Sequence, residues 1–249
     1  MGKRLPRFFI PTAEMGTAEA LIEGTEARHA RKVLRLKVGD RLIVFDGAGK
    51  QYQARIKLLE KECVRVTLEA PLVGQTESPL DLALAQGFLK DKKMDMLVRH
   101  MTELGVRRWI PFLAERSVPA PNPQRLQARI GRWHKISQEA VKQCRRSQPM
   151  SIEPVVPFED VLKLAAPYDL KLVFWEKAAT LLFSSLDGED PPARILVMIG
   201  PEGGFGMSEI EAAQMHGFRA ISMGPRILRA ETAALTACSL VQYVFGDMG

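Results

Sequence analysis

Two short apolar runs, Ile195-Leu-Val-Met-Ile199 and Ala220-Ile-Ser-Met223, each stop at a glycine and open into a loop that leads to a helical pattern. Runs of this kind suit buried strands of a parallel sheet, and the loops that follow them lie at its carboxyl edge, where α/β folds hold their ligands. The first loop, Gly200-Pro-Glu-Gly-Gly-Phe-Gly206, is not a P-loop, because Phe205-Gly206-Met207 supplies no lysine. Nor is it a dinucleotide fingerprint, since Glu209 stands where a third glycine is required. What remains is main chain laid bare at Gly200, Gly203, Gly204 and Gly206, free to take positive φ or to let a flat ligand reach backbone N–H and C=O groups. An adenosine-type ligand recognised by main chain fits that description. One such loop is equally well a plain tight turn; two after successive strands favour a ligand site.

The rest of the chain divides into two parts. Residues 1–72 carry short β-like runs, Arg41–Phe45, Tyr52–Ile56 and Val64–Leu68, separated by turn residues such as Asp46, Gly47 and Gly49, which predicts a meander and a small barrel. Pro71 to Pro79 is polar and turn-rich and reads as a linker, so the second domain is expected over 73–249. There strands alternate with helices: strand 80–86, helix 90–104 with Met94, Leu97, Val98, Met101 and Leu104 on one face, strand 109–113, a long helix 124–146, strand 170–176 and a final helix 232–245. This is the pattern of an α/β domain with a largely parallel sheet. Ser208 with Glu211 reads as the capping box of the helix after the first glycine loop, and Asp187 to Pro192 as a surface loop. The final helix is apolar nearly all round and needs cover on most sides.

Charge bears on the partner. Lys and Arg number 35 against 29 Asp and Glu, a net +6 that favours a polyanion. Arg28, His29, Arg31, Lys32, Arg35 and Lys37, interrupted by Val33, Leu34 and Leu36, predict a helix with one apolar edge and a basic face. Alone, such a face is as well a solvated surface as an RNA contact; beside the glycine loops RNA-backbone contact is the better reading, through Arg28, Arg31 and Arg35. Cys63, Cys144 and Cys238 have no metal-ligand spacing with each other or with the four histidines, so no metal is expected and the thiols read as reduced. No run reaches the roughly 20 apolar residues of a membrane span, and the segment between Pro6 and Pro11 is too short for a signal peptide; a cytoplasmic protein without membrane association is expected.

Ile199-Gly-Pro-Glu-Gly-Gly-Phe205 followed by Gly224-Pro-Arg-Ile-Leu-Arg-Ala-Glu-Thr-Ala233 resembles the cofactor-binding signature of the SPOUT methyltransferases, and within that class is similar to the bacterial family that methylates uridine N3 in small-subunit ribosomal RNA. Arg7-Phe-Phe9, Thr102-Glu-Leu-Gly-Val106 and Glu139-Ala-Val-Lys-Gln-Cys-Arg-Arg146 match further parts of the same pattern. The resemblance implies a C-terminal α/β-knot domain with a deep trefoil knot, an N-terminal PUA-like barrel that helps hold RNA, S-adenosylmethionine as cofactor, the assembled small subunit and its 16S rRNA as partner, and a homodimer. It implies a cofactor site made by Glu176, Ile199, Gly200, Gly203, Gly204, Met223, Gly224, Ile227, Leu228 and Ala233. Arg229 is the first choice for steadying the uracil oxygens, the other reading being an ion pair with Glu231 or Glu202. Glu202 either faces the cofactor's positive end or caps local N–H groups. Glu139, Gln143 and Arg146 share a predicted helix face and are assigned to the substrate cleft, Arg146 also to catalysis and Arg7 to RNA binding. No residue presents itself as the general base. The competing readings are another SPOUT RNA methyltransferase, acting on a ribose 2′-hydroxyl or a transfer-RNA base, and a non-catalytic RNA-binding assembly factor.

Overall fold

The computed structural model of the chain describes residues 5–11, 15, 18–72, 77–90, 92–118, 122–181 and 191–249. They form two compact units, Met1–Glu77 with Val141–Pro149, and Ser78–Ala140 with Met150–Gly249. The division thus falls five residues after the expected cut at 72, and a segment from the long helix's end returns to the first unit.

In the first unit β1 (Arg7–Phe9), β2 (Glu19–Glu23), β3 (Arg41–Phe45), β4 (Gln51–Leu59) and β5 (Cys63–Pro71) form one sheet in the order β1-β3-β4-β5-β2, parallel only between β1 and β3. The predicted meander is β3-β4-β5. Alternate residues point inward, so Phe8, Ile22, Leu42, Val44, Ala54, Ile56, Val64 and Val66 make a core on one face of the sheet. Helix α1 (Gly24–Arg28) runs into a π-helical turn, His29–Val33, and the chain turns sharply at Arg35, whose φ is +52°. This corrects the single helix expected over 28–37: Ala27 and Ala30 face the core, while Val33 and Leu34 of the expected apolar edge are 65% and 40% exposed.

The second unit is a parallel sheet with helices. Its elements are β6 (Asp81–Gly87), α2 (Lys93–Glu103), β7 (Arg108–Leu113), α3 (Pro123–Cys144), β8 (Ser151–Ile152), β9 (Val156–Pro157), α4 (Phe158–Leu164), β10 (Leu170–Phe174), β11 (Arg194–Ile199), α5 (Met207–Met215), β12 (Arg219–Ile221) and α6 (Ala230–Phe245). The order is β12-β10-β11-β6-β7-β8, with β9 paired to β7. The strands read as continuous apolar runs because both faces are covered. Leu82, Leu84, Leu172, Ile195, Val197 and Ile199 pack on one side with α2 and α6; Ala83, Ala85, Val173, Leu196 and Met198 pack on the other with α4 and α5. Of the apolar face predicted for α2, Met94, Leu97, Val98 and Met101 are all at 0% exposure, and Leu104, just past the helix end, is half-buried.

Two expectations change here, and a third is left untested. Helix α3 stops at Cys144 because Arg145 takes φ +70°, so Arg146 lies beyond the helix and off the face it was expected to share with Glu139 and Gln143. Helix α6 buries one side, Ala233, Ala234, Ala237, Cys238, Val241 and Gln242; Tyr243 is 61% and Val244 38% exposed. The surface loop expected over Asp187 to Pro192 falls mostly outside the described residues.

Candidate active site

A cavity of about 400 Å³ opens in the second unit, large enough for a nucleoside-sized ligand. Its lining includes Phe174, Ile199 and Ile221, the last residues of β10, β11 and β12, so it lies at the carboxyl ends of three parallel strands. The two glycine loops, consecutive in sequence, follow strands that flank β10, which adds Trp175 and Glu176 between them.

The first loop is packed from beneath. Phe205 turns into the core beside Phe112 and Phe158, both centroids 6.3 Å away, and its ring would stand 3.1 Å from a Cβ on Gly200. Gly203 lies against Arg116, where a Cβ would come within 2.8 Å of the Arg116 Cβ and 3.0 Å of its carbonyl oxygen. Gly204 takes φ +70° and its N–H donates to the Pro201 carbonyl at 3.0 Å. The helix cap is not Ser208 with Glu211, as expected, but Gly206 with Glu209. The buried Glu209 carboxylate accepts the Gly206 N–H at 2.9 Å and, through its other oxygen, the Glu115 N–H at 2.9 Å. A buried carboxylate is tolerable only with such donors, and here they tie the glycine loop to the loop after β7.

The second loop is open. Gly224 takes φ +101°, and a Cβ there would meet nothing within 4 Å. The Ser222 hydroxyl accepts the Gly224 N–H at 3.3 Å. Ile227 is 83% exposed at the cavity rim.

The charges divide in the same way. Lys93, at the start of α2, reaches Glu202 of the first loop at 2.5 Å and Glu231, in the first turn of α6, at 3.4 Å. The hydrogen bond to Glu202 holds the Lys93 ammonium above the ordinary lysine range. Glu202 and Glu231 are therefore Lys93's partners and not Arg229's; Arg229 and Arg226 line the cavity without an ion pair among the described residues.

All twelve residues assigned in sequence to the cofactor loops and their chemistry, Glu176, Ile199, Gly200, Glu202, Gly203, Gly204, Met223, Gly224, Ile227, Leu228, Arg229 and Ala233, line this one cavity. Lys93, Trp175 and Arg226 line it too and were not foreseen. The remaining candidates lie elsewhere. Glu139 and Gln143 are exposed on α3 and line no part of it. Arg146, in the first unit, is 3% exposed, and its guanidinium grips Glu77 at 2.9 and 2.8 Å. Glu77 also accepts the N–H groups of Ser147 and Gln148, so Arg146 belongs to a structural cluster of hydrogen bonds. Arg7 is likewise built in: it donates to Gln51 and to the Arg146 carbonyl, both at 2.8 Å, and lies over the Phe45 ring, and burial lowers its pKa. Arg28 and Arg35 are exposed and Arg31 half-buried. No group of three His, Cys, Asp or Glu side chains among the described residues is placed to hold a metal ion, and no described helix is long and apolar enough to cross a membrane.

The profile of the RNA methyltransferase domain matches residues 76–242, and that of the RNA methyltransferase PUA domain matches residues 22–69. The ribosomal RNA small subunit methyltransferase E of Buchnera aphidicola subsp. Acyrthosiphon pisum is 30% identical over 246 residues, covering 98% of this chain and 96% of that protein. The chain belongs to the ribosomal RNA small subunit methyltransferase E family. A crystal structure of the methyltransferase E from Neisseria gonorrhoeae, bound to S-adenosyl methionine, is 30% identical, covers 99% of this chain and all of that one, and superposes with a TM-score of 0.87. A methyltransferase from Legionella pneumophila, in complex with the bound cofactor SAM, is 31% identical over 98% of this chain with a TM-score of 0.89. The fold is accordingly that of a SPOUT α/β methyltransferase domain with an N-terminal PUA domain. In this methyltransferase E family member both signature loops border a single cavity, and the sheet order explains how: β10 is inserted between their strands.

Proposed function

We propose that the chain transfers the methyl group of S-adenosylmethionine to N3 of one specific uridine in the 16S rRNA of the small ribosomal subunit, in the cytoplasm, as a homodimer with a knotted second domain. The observation that carries the reading is the single cavity bordered by both signature loops at the ends of three parallel strands. The cavity fits the cofactor on its own terms: at Gly224 no atom, and at Gly204 only the Glu176 carboxylate at 3.9 Å, approaches where a Cβ would stand, so bare main chain can meet a flat ring. Two relatives of 30% identity or more are crystallised with that same cofactor.

When bound, S-adenosylmethionine supplies a methyl carbon that is already electrophilic, so no side chain needs to bond covalently to substrate. The chain's work is alignment and charge. The glycine loops hold the donor by main chain. Water takes the N3 proton, the N3 lone pair then forms the bond to the methyl carbon as the S–CH3 bond breaks, and S-adenosylhomocysteine leaves; Arg229, a cavity residue without an ion pair among the described residues, meets the negative charge that grows on the uracil oxygens. The first unit's exposed Arg28 and Arg35 supply backbone contacts to RNA. The part-exposed side of α6, with Leu240, Tyr243 and Val244, is the face offered to a second copy. Uridine N3 sits on the Watson–Crick edge, so the target nucleotide must be unpaired or splayed out at a cost of a few kcal/mol.

The test is transfer of labelled methyl from S-adenosylmethionine to small subunits isolated without the modification, beside large subunits and bulk transfer RNA. Label in small-subunit RNA alone is expected. Label only in transfer RNA, or in no RNA at all, overturns the reading.

A further inference from the structure

Among the described residues Lys93 is the cation that touches both halves of the cavity wall, and no sequence signature singles it out. We propose that Lys93 is a positioning residue: its ammonium, shared between Glu202 of the first loop and Glu231 after the second, sets the separation of the two loops and so the width of the cleft that holds the methyl donor. The inference rests on the function proposed above.

Three observations support it. The platform of Lys93 is rigid, because α2 buries Met94, Leu97, Val98 and Met101 completely, and its backbone is therefore fixed against the sheet. The strand that leads to it is locked to the first loop: a Cβ on Gly87 would lie 2.4 Å from the Pro201 nitrogen, and the buried Gln86 amide donates to the Gly87 and Gly200 carbonyls at 3.0 and 3.3 Å. Glu231 has little else to hold it among the described residues, since its Oε2 is buried without a hydrogen-bond partner and Lys93 is the cation at its Oε1. Without that ammonium, two like charges would face each other across the cavity rim. Repulsion of that kind pushes apart the less restrained element, here the open second loop.

The experiment measures the affinity for S-adenosylmethionine by calorimetry, with thermal melts alongside, on the full chain and on Lys93→Met, Lys93→Arg and Lys93→Met/Glu202→Gln. Lys93→Met should weaken binding by about tenfold, equivalent to about 1.4 kcal/mol, with a melt close to that of the parent. Lys93→Arg should restore most of the affinity, and adding Glu202→Gln to Lys93→Met should recover part of it by removing one of the repelling charges. Unchanged affinity in Lys93→Met overturns the proposal. So does a loss that Glu202→Gln deepens, because that pattern belongs to a lysine touching the ligand. Should Lys93→Met not fold, the double variant decides: affinity within about tenfold of the parent supports the spacing role, and binding below detection refutes it. If the parent chain itself binds no S-adenosylmethionine, the proposed function fails first, which keeps the two failures apart.

Discussion

The two loops of the cavity are built on opposite principles. In the first, three of the four glycines are hemmed in by the protein, Gly200 by Phe205, Gly203 by Arg116 and Gly206 by the Glu115 carboxylate, 2.7 Å from where its Cβ would stand, and Gly204 alone is left open. In the second, Gly224 has open space around it, Pro225, Arg226 and Arg229 are exposed, and Ile227 projects into solvent at 83% exposure. The first loop is a finished wall, held by a buried carboxylate and a stack of aromatic rings. The second has its positive charge and apolar surface uncovered, and is completed by what binds to it. Preorganisation of one side and openness of the other is what a transferase needs when its donor binds first and a large acceptor must still reach the reacting carbon.

The contrast breaks most completely at Gly203. Gly203→Val drives a branched side chain into the Arg116 backbone, an overpacking cost of about 1–3 kcal/mol that the loop can relieve only by leaving its place. Calorimetry should find S-adenosylmethionine binding reduced below detection, with the first unit still folded by circular dichroism. Arg229→Ala tests the other side. It removes an exposed cation that pairs with no described carboxylate, so cofactor affinity should stay within about twofold while the rate of transfer to small subunits falls by about 100-fold, the effect of deleting one charge-stabilising group. An equal loss in both would make Arg229 a cofactor residue. Smaller still is Gly224→Ala, whose new methyl meets no protein neighbour but stands where the main chain is left bare for the ligand; binding should weaken by roughly five- to thirtyfold, equivalent to about 1–2 kcal/mol, and far less than in Gly203→Val. The smallest effect lies in the first unit. Neutralising Arg28, Arg31 and Arg35 should lower the salt dependence of RNA binding by about 0.7–0.9 in log–log slope for each phosphate that is no longer neutralised, and leave cofactor binding untouched.

What was legible in the sequence was local. The strands before both loops, the apolar face of α2 and the meander β3-β4-β5 follow from period and turn chemistry, which act over a few residues. Eleven of the twelve cavity residues were legible because glycines and signature residues cluster in two short stretches; Glu176 follows from its place at the end of the strand expected over 170–176. What was not legible depends on partners far along the chain. Lys93 meets Glu202 across 109 positions, and nothing in the run Lys90-Asp-Lys-Lys93 distinguishes it from its neighbours. The spacing of Arg146 predicts a place on a helix face, but Arg145 ends the helix in a left-handed conformation and Glu77, 69 positions away, claims the guanidinium. The basic segment 28–37 has helical spacing, yet it breaks at a π-helical turn because Ala27 and Ala30 pack into the core in place of Val33 and Leu34.

The central claim is that this cavity brings a methyl donor to N3 of a uridine, and the identity of the product tests it most directly. Small subunits lacking the modification are incubated with the protein and labelled S-adenosylmethionine, and the RNA is then digested to nucleosides and separated with mass analysis. The account predicts that the label elutes as 3-methyluridine from a single site in 16S rRNA. A labelled 2′-O-methyl nucleoside, or a methylated base other than uracil, would contradict it.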